Sequence, residues 1–144
     1  MKIIRTQTLA ERAGAYYVRI HAMARKHHIT LAQEFDMYDT PDTRYIVILD
    51  DVLPVATCRL YPVDTETIML GRVVVLPEYR RRGLGRLAVT SAEAWAAELG
   101  YRKAVLESRD NKVGFYQKLG YVADTQRVIQ GGTFTCIYME RQLT

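Results

Sequence analysis

Two hydrophobic periods alternate along the chain, and each change of period marks an element. In "KIIRTQT" apolar and polar residues alternate as in a strand, and Thr8 with Glu11 has the spacing of a capping box, so a helix is expected next. Ala13, Tyr16, Tyr17, Ile20, Met23 and Ala24 recur at three-to-four spacing and predict one apolar stripe through about residue 26. From His27 to Thr43 the pattern is mixed and "TPDT" is turn chemistry, which predicts a short helix and a loop. "RYIVILD", "LPVATCRLYPV" and "TIMLGRVVVL" are β-rich runs, the first two separated by "DD", and together they predict an antiparallel meander.

From Gly83 the period turns helical, with Leu84, Leu87, Ala88, Ala92, Trp95 and Leu99 on one side and Gly100 as the stop. "RKAVLES" follows as a buried strand. "NKVGFYQKLG" predicts a short helix with Asn111 as N-cap and Gly120 just past its end, and "YVADTQRVI" and "TFTCIYMER" are the last two strands. The order β α (α) β β β α β α β β describes an α/β fold with a mixed, mostly antiparallel central sheet flanked by helices. No repeat, low-complexity tract or linker interrupts it, so one domain is expected over residues 1–144.

Composition changes this picture little: 49% hydrophobic and 25% charged residues are ordinary globular usage. The two cysteines, Cys58 and Cys136, are far apart and lack CxxC spacing, which reads as free thiols in a reducing compartment. "MKIIRTQTLAERAG" has no apolar core like that of a secretory leader, and no apolar run is long enough to span a bilayer. A cytoplasmic protein with no membrane partner is expected. His21, His27 and His28 lack metal-ligand spacing, so no metal site is expected.

Charge matters through its placement. The net charge is +4, but Arg80, Arg81, Arg82 and Arg86 crowd one turn beside Gly83 and Gly85, where a strand gives way to a helix. A helix start carries partial positive charge and amides without intrahelical partners, and glycine lets an anion approach them. A pyrophosphate matches this turn better than a long polyanion, and no aromatic residues interleave with the arginines, which argues against a nucleic-acid partner. The competing reading is a plain turn with a solvated basic face. A GxxxxGK phosphate loop is absent, and a dinucleotide fold is disfavoured by "LPEYRR" between strand and glycine and by Ala88 at the third glycine position.

Arg80-Arg81-Arg82-Gly83-Leu84-Gly85 resembles the acetyl-CoA signature of the GNAT N-acetyltransferase superfamily, Gln/Arg-x-x-Gly-x-Gly/Ala. "VVVLPEYR" before it and "NKVGFYQKLGY" after it are similar to that superfamily at the expected places, most of all to small bacterial members of uncharacterised substrate. The resemblance implies a direct transfer of acetyl from acetyl-CoA to an amine. Backbone groups of Val73, Val74 and Val75 would pair with the pantetheine arm, and Val74 would polarise the thioester carbonyl. Residues Arg81, Arg82, Gly83, Leu84, Gly85 and Arg86 would hold the pyrophosphate, with the arginines, Arg80 included, available to phosphate. Asn111 would contact pantetheine, and Tyr116 would donate to the departing thiolate.

The acceptor side is less constrained. The resemblance implies a primary amine on a small molecule or peptide, and an amine must lose a proton before it attacks. Gly71 stands where many relatives carry a glutamate, which leaves Glu34, Asp36, Glu66 and Glu107 as candidate bases or acceptor-binding groups, with Arg59 and Tyr45 as further cavity candidates. The same departure motivates an alternative, a non-catalytic acyl-CoA sensor. Oligomeric state is open, a homodimer being one option.

Overall fold

The computed structural model describes residues 1–131 and 134–143. It runs β1 (Lys2–Arg5), α1 (Leu9–Arg19), a π turn at Ile20–Ala24, α2 (Arg25–His27), α3 (Leu31–Glu34), β2 (Arg44–Asp50), β3 (Leu53–Pro62) and β4 (Thr67–Val75). Then come α4 (Leu84–Glu98), β5 (Lys103–Arg109), α5 (Val113–Lys118), β6 (Val122–Gly131) and β7 (Phe134–Gln142). This is the order expected from the pattern. The seven strands make one sheet, β1-β2-β3-β4-β5-β7-β6, and only the β4–β5 pair is parallel. That pair needs a crossover, and α4 provides it.

The capping box forms as spaced: Glu11 N–H donates to Thr8 Oγ1 at 3.1 Å and Thr8 N–H donates to Glu11 Oε1 at 3.1 Å. Helical backbone continues from α1 through the π turn to His27, and His28 stops it with φ +53°. The buried stripe differs from the expected one. Gly14, Ala15, Val18, Arg19 and Ala22 face inward, while Ala13 and Tyr17 are exposed. Small residues win the inner face because the helix lies close on the sheet: a Cβ on Gly14 would sit 3.0 Å from Val47 Cγ1. The large aromatic residues that made the expected stripe are pushed to its edges.

Tyr45 and Val47 pack with Ala15 of α1, whereas Ile46 and Ile48 join the larger cluster with Ala88, Val89, Ala92, Trp95 and Ala96 of α4. Strand alternation therefore sets α1 and α4 on opposite faces of β2. Leu99, expected on the buried side of α4, is 41% exposed, since the helix ends at Glu98 and turns away at Gly100, φ +98°. Asn111 is not the cap of α5. It lies in a 3₁₀ turn, Asp110–Lys112, that runs directly into Val113, and Lys112 precedes the helix without a side-chain cap. Among the described residues no helix is long and apolar enough to cross a membrane.

One irregularity positions everything that follows. On β4, Thr57 faces Val74 and Arg59 faces Gly71, so Arg72 and Val73 together oppose the single residue Cys58. This is a β-bulge, and Arg72 adopts φ +47° to make it. Parallel pairing of β4 with β5 runs from Thr67–Lys103 to Leu70–Leu106 and stops immediately before the bulge.

Candidate functional site

Beyond Leu70 and Leu106 the two central strands part. The edge of Gly71–Val75 facing β5 has no strand partner there among the described residues, while β5 stays paired to β7 as far as Arg109–Cys136. Buried backbone polar groups are normally paired, so an unpaired strand edge in mid-sheet is a place for an extended ligand. Val74 is buried and Val73 and Val75 are partly so, their side chains packing on the core. The main chain of Val73 and Val75 can serve the cleft, whereas Val74 is in phase with Leu76, whose N–H donates to Val55 O on β3 at 2.9 Å.

The start of α4 closes one end of this cleft. Gly83 precedes the helix with φ +75° and offers no capping side chain, and the first intrahelical bond at that end is Leu87 N–H to Gly83 O at 3.0 Å. The amides of Leu84, Gly85 and Arg86 therefore have no partner within the helix. Arg81 also takes a left-handed φ, +64°, and Arg80, Arg81, Arg82 and Arg86 are all exposed. Arg82 lies over Tyr79 at 4.9 Å, and Tyr79 donates to Asp50 at 2.7 Å, so the turn is tied to the β2–β3 hairpin. At Gly85 three elements meet: a Cβ there would lie 3.6 Å from Phe115 and 3.8 Å from Val75.

Tyr116 comes from α5. Its ring is edge-on to Phe115 and Tyr121, and Tyr121 donates to Glu93 of α4 at 2.7 Å, which fixes α5 against the core. Burial pushes the Tyr116 hydroxyl well above the ordinary phenol range, and Arg109 offsets this only in part. At neutral pH the group is a donor. Its hydroxyl has no hydrogen-bond partner among the described residues and is not one of the fully enclosed polar atoms left unbonded. Asn111 is exposed beside this helix.

The acceptor-side candidates separate into two groups. Glu34, Asp36, Arg59 and Tyr45 are absorbed into one ion network. Arg19 donates to Glu34 at 2.9 Å and to Asp39 at 2.6 Å; Arg59 donates to Asp36 at 2.8 Å and Asp39 at 3.1 Å; Arg72 donates to Asp36 at 3.2 Å. Tyr45 donates to Asp39 at 2.6 Å. Burial would raise the Asp39 carboxyl, but bonds from Arg19 and Tyr45 outweigh it and hold that group far below the usual carboxylate range. These acids are committed to arginines. The network fastens α3 and the loop after it onto β3 and onto the bulge itself.

Glu66 is also removed from the site, since it precedes β4 at the opposite end, where its carbonyl accepts from Arg102 and Lys103. Glu107 remains. It is exposed, belongs to no ion pair among the described residues, and lies close enough to Tyr61 and Cys136 to act on both. Strand alternation puts Ala104, Leu106 and Ser108 on one face of β5 and Val105, Glu107 and Arg109 on the other, where Val105 is buried and Glu107 is exposed. Arg109 was not anticipated: the predicted strand "RKAVLES" stops at Ser108, whereas β5 continues to Arg109, two residues past Glu107. Arg19 and Arg72 were missed too, one hidden in a helix whose stripe was misjudged, the other in a bulge.

The thiols are unsuited to attack. Cys58 is fully buried, which pushes it up to about 12, and burial also raises half-buried Cys136. His21 and His28 are exposed, and His27 meets Phe134 edge-on at 5.2 Å. Among the described residues no cluster of His, Cys, Asp or Glu has the makings of a metal site.

Known proteins resemble this chain in sequence and in fold. Residues 8–121 match the acetyltransferase (GNAT) family. An uncharacterised Bacillus subtilis (strain 168) protein, YyaT, is 33% identical over 92% of this chain and 90% of its own. A Lactobacillus plantarum crystal structure, provisionally assigned as an N-acetyltransferase, is 32% identical and superposes with a TM-score of 0.92 over 99% of this chain and 98% of that one. An aminoglycoside 6'-N-acetyltransferase complexed with coenzyme A shares the fold at a TM-score of 0.77, with 16% identity over 100% and 98% of the two chains.

Two outcomes follow. Arg19→Ala leaves Glu34 and Asp39 buried without their main partner and is expected to lower stability by about 3–5 kcal/mol in urea unfolding, far more than Arg5→Ala, whose partner Glu98 is on the surface. Iodoacetamide at about pH 8 should leave Cys58 unmodified in the folded protein and label Cys136 roughly tenfold more slowly than a free thiol, read by peptide mass spectrometry.

Proposed function

The chain belongs to the GNAT acetyltransferase family, and we propose that it transfers an acetyl group directly from acetyl-CoA to a primary amine. The observation that carries this reading is the parted edge of β4 leading to the uncapped start of α4. A ligand with an extended amide-bearing arm and a diphosphate would satisfy both: the arm as an added strand on Val73–Val75, the diphosphate on the amides of Leu84, Gly85 and Arg86. Arg80, Arg81, Arg82 and Arg86 surround that end with bidentate donors, and Asn111 is placed for the arm.

Bound acetyl-CoA supplies the activated thioester; the chain's residues supply position, charge and proton handling. The main-chain groups of Val74, expected from the resemblance to polarise the thioester carbonyl, are in phase with Leu76, whose N–H donates to Val55 O on β3 at 2.9 Å, so that role falls to an outward amide of Val73 or Val75. Glu107 accepts the proton that the amine gives up as its nitrogen forms the new bond to carbon. Tyr116, kept protonated by burial, donates to the sulfur as the carbon–sulfur bond breaks. Starting from the ammonium, the nitrogen gives up two protons, one to water before attack and one to Glu107 as the amide forms; one proton reaches the sulfur from Tyr116, which regains it from Glu107 through water, so the products are an amide, a free thiol and one released proton. No acyl-enzyme is required, and the raised thiols of Cys58 and Cys136 agree with that.

Tyr116→Phe is expected to lower kcat by about 10²-fold with little change in the dissociation constant of CoA, measured by thiol release and by calorimetry. An unaltered kcat removes Tyr116 from this role. Gly83→Val forces a branched residue into φ +75°, and CoA should bind about tenfold more weakly or worse, whereas wild-type affinity in that variant places the diphosphate elsewhere.

A further inference from the structure

The arginines of the cleft differ in one respect. Arg19, Arg59 and Arg72 share three carboxylates, Glu34, Asp36 and Asp39, so their network is closed and neutral. Arg141 has Glu93. Arg109, half-buried in the same cleft, has no carboxylate partner among the described residues. Its guanidinium lies flat on Phe134 at 3.7 Å, and one nitrogen points at Met23 Sδ, 3.7 Å away. A thioether is a weak acceptor, and stacking engages the face of a guanidinium while leaving the in-plane N–H fork unused.

The surroundings make this costlier. Burial lowers the Arg109 pKa and the charge of Arg80 lowers it further; Cys136, Tyr116 and Glu34 offset this only in part, Glu34 being bonded to Arg19. His27, packed on the same Phe134, adds a third basic group. A half-buried cation beside two other basic groups contributes nothing to the fold that an apolar residue would not. Its position is informative instead. Arg109 and Glu107 sit on one face of β5, two residues or about 6–7 Å apart along the strand, and Tyr116 is near enough for Arg109 to act on its hydroxyl.

We infer that Arg109 receives a carboxylate of the acceptor, so that the acceptor is a small zwitterion of the amino-acid type, its amine directed to Glu107 and its carboxylate held by the guanidinium fork. The inference rests on the acetyltransferase reading above and narrows it. A planar fork matches a carboxylate through two parallel bonds, and an amino acid carries its two charged groups within reach of a strand's two-residue repeat. The met and unmet charges then have distinct work: the closed network holds the walls, and the open cation chooses the ligand. Met23 and Phe134 cover the guanidinium and keep water from weakening that choice.

The test uses amino acids paired with their decarboxylated amines, such as lysine with cadaverine, arginine with agmatine and tyrosine with tyramine, assayed by thiol release from acetyl-CoA. Wild type should favour the carboxylated member of at least one pair by about tenfold or more in kcat/KM. Arg109→Gln should raise KM for that member by about tenfold with a smaller change in kcat, collapsing the ratio, and Arg109→Lys should restore part of it. Arg102→Gln, an exposed charge at the far end of β5, should preserve the ratio. Equal use of both members, use of the amines alone, or turnover of neither by wild type overturns the inference, as does an equal loss on both members in Arg109→Gln. If Arg109→Gln instead weakens CoA itself in calorimetry, the anion it serves belongs to the coenzyme, which also overturns it. Failure of wild type to bind CoA sinks the acetyltransferase reading; bound CoA with no carboxylate preference sinks this inference alone.

Discussion

The parting of β4 from β5 is the constraint on which the site depends. Parallel strands bond through evenly spaced groups along their whole edge, so a gap in mid-sheet needs a cause. Here the cause is local: Arg72 and Val73 share one partner on β3, and the added residue bends β4 away where pairing with β5 ends. Arg72 makes this turn at φ +47°, an uncommon conformation for a side chain of its size. Two contacts hold it there. Its guanidinium donates to the Glu34 carbonyl at 3.3 Å and to Asp36 at 3.2 Å, so the bulge is bound to the segment after α3. The unpaired edge and the wall opposite it are thus one construction.

The ion network explains how such an opening is tolerated. Isolated buried charges are strongly unfavourable, and a buried pair is no better for stability than a good apolar contact, but three cations sharing three anions leave little unmet charge. What the network adds is geometric definition. Arg19 reaches from α1, Arg59 from β3 and Arg72 from the bulge, and all converge on residues 34–39, a segment with little regular structure of its own. Tyr38 and Tyr61, stacked at 4.1 Å, reinforce the same wall. The cleft is held open by directional bonds where an apolar collapse would close it.

Much of this was legible in the chain. Period and capping gave the element order, the capping box at Thr8, the glycine stops at Gly100 and Gly120, and the strand-to-helix turn with Gly83 at positive φ. Other features needed three dimensions. The α1 stripe was misjudged because the pattern weighs apolar size, whereas close packing on Val47 selected Gly14 and Ala15. Asn111 has the right chemistry for a cap, but the chain enters α5 through a 3₁₀ turn and needs none. Gly71 stands directly before the bulge, but the positive φ falls on Arg72, a residue that nothing in the pattern marks for it. Among the acids, sequence could not separate Glu34 and Asp36 from Glu107, because what separates them is whether an arginine from another element arrives.

That last distinction is general to the cleft. The sheet's two-residue repeat puts Ala104, Leu106 and Ser108 on one face of β5 and buried Val105, exposed Glu107 and partly buried Arg109 on the other. The bulge ends the pairing of β4 with β5 beside Glu107 and Arg109, and neither has an ion-pair partner among the described residues, while Tyr116 lies close enough to Arg109 to be affected by its charge. The network on the other wall, through the two bonds it makes to Arg72, holds the bulge in the conformation that keeps the β4 edge unpaired.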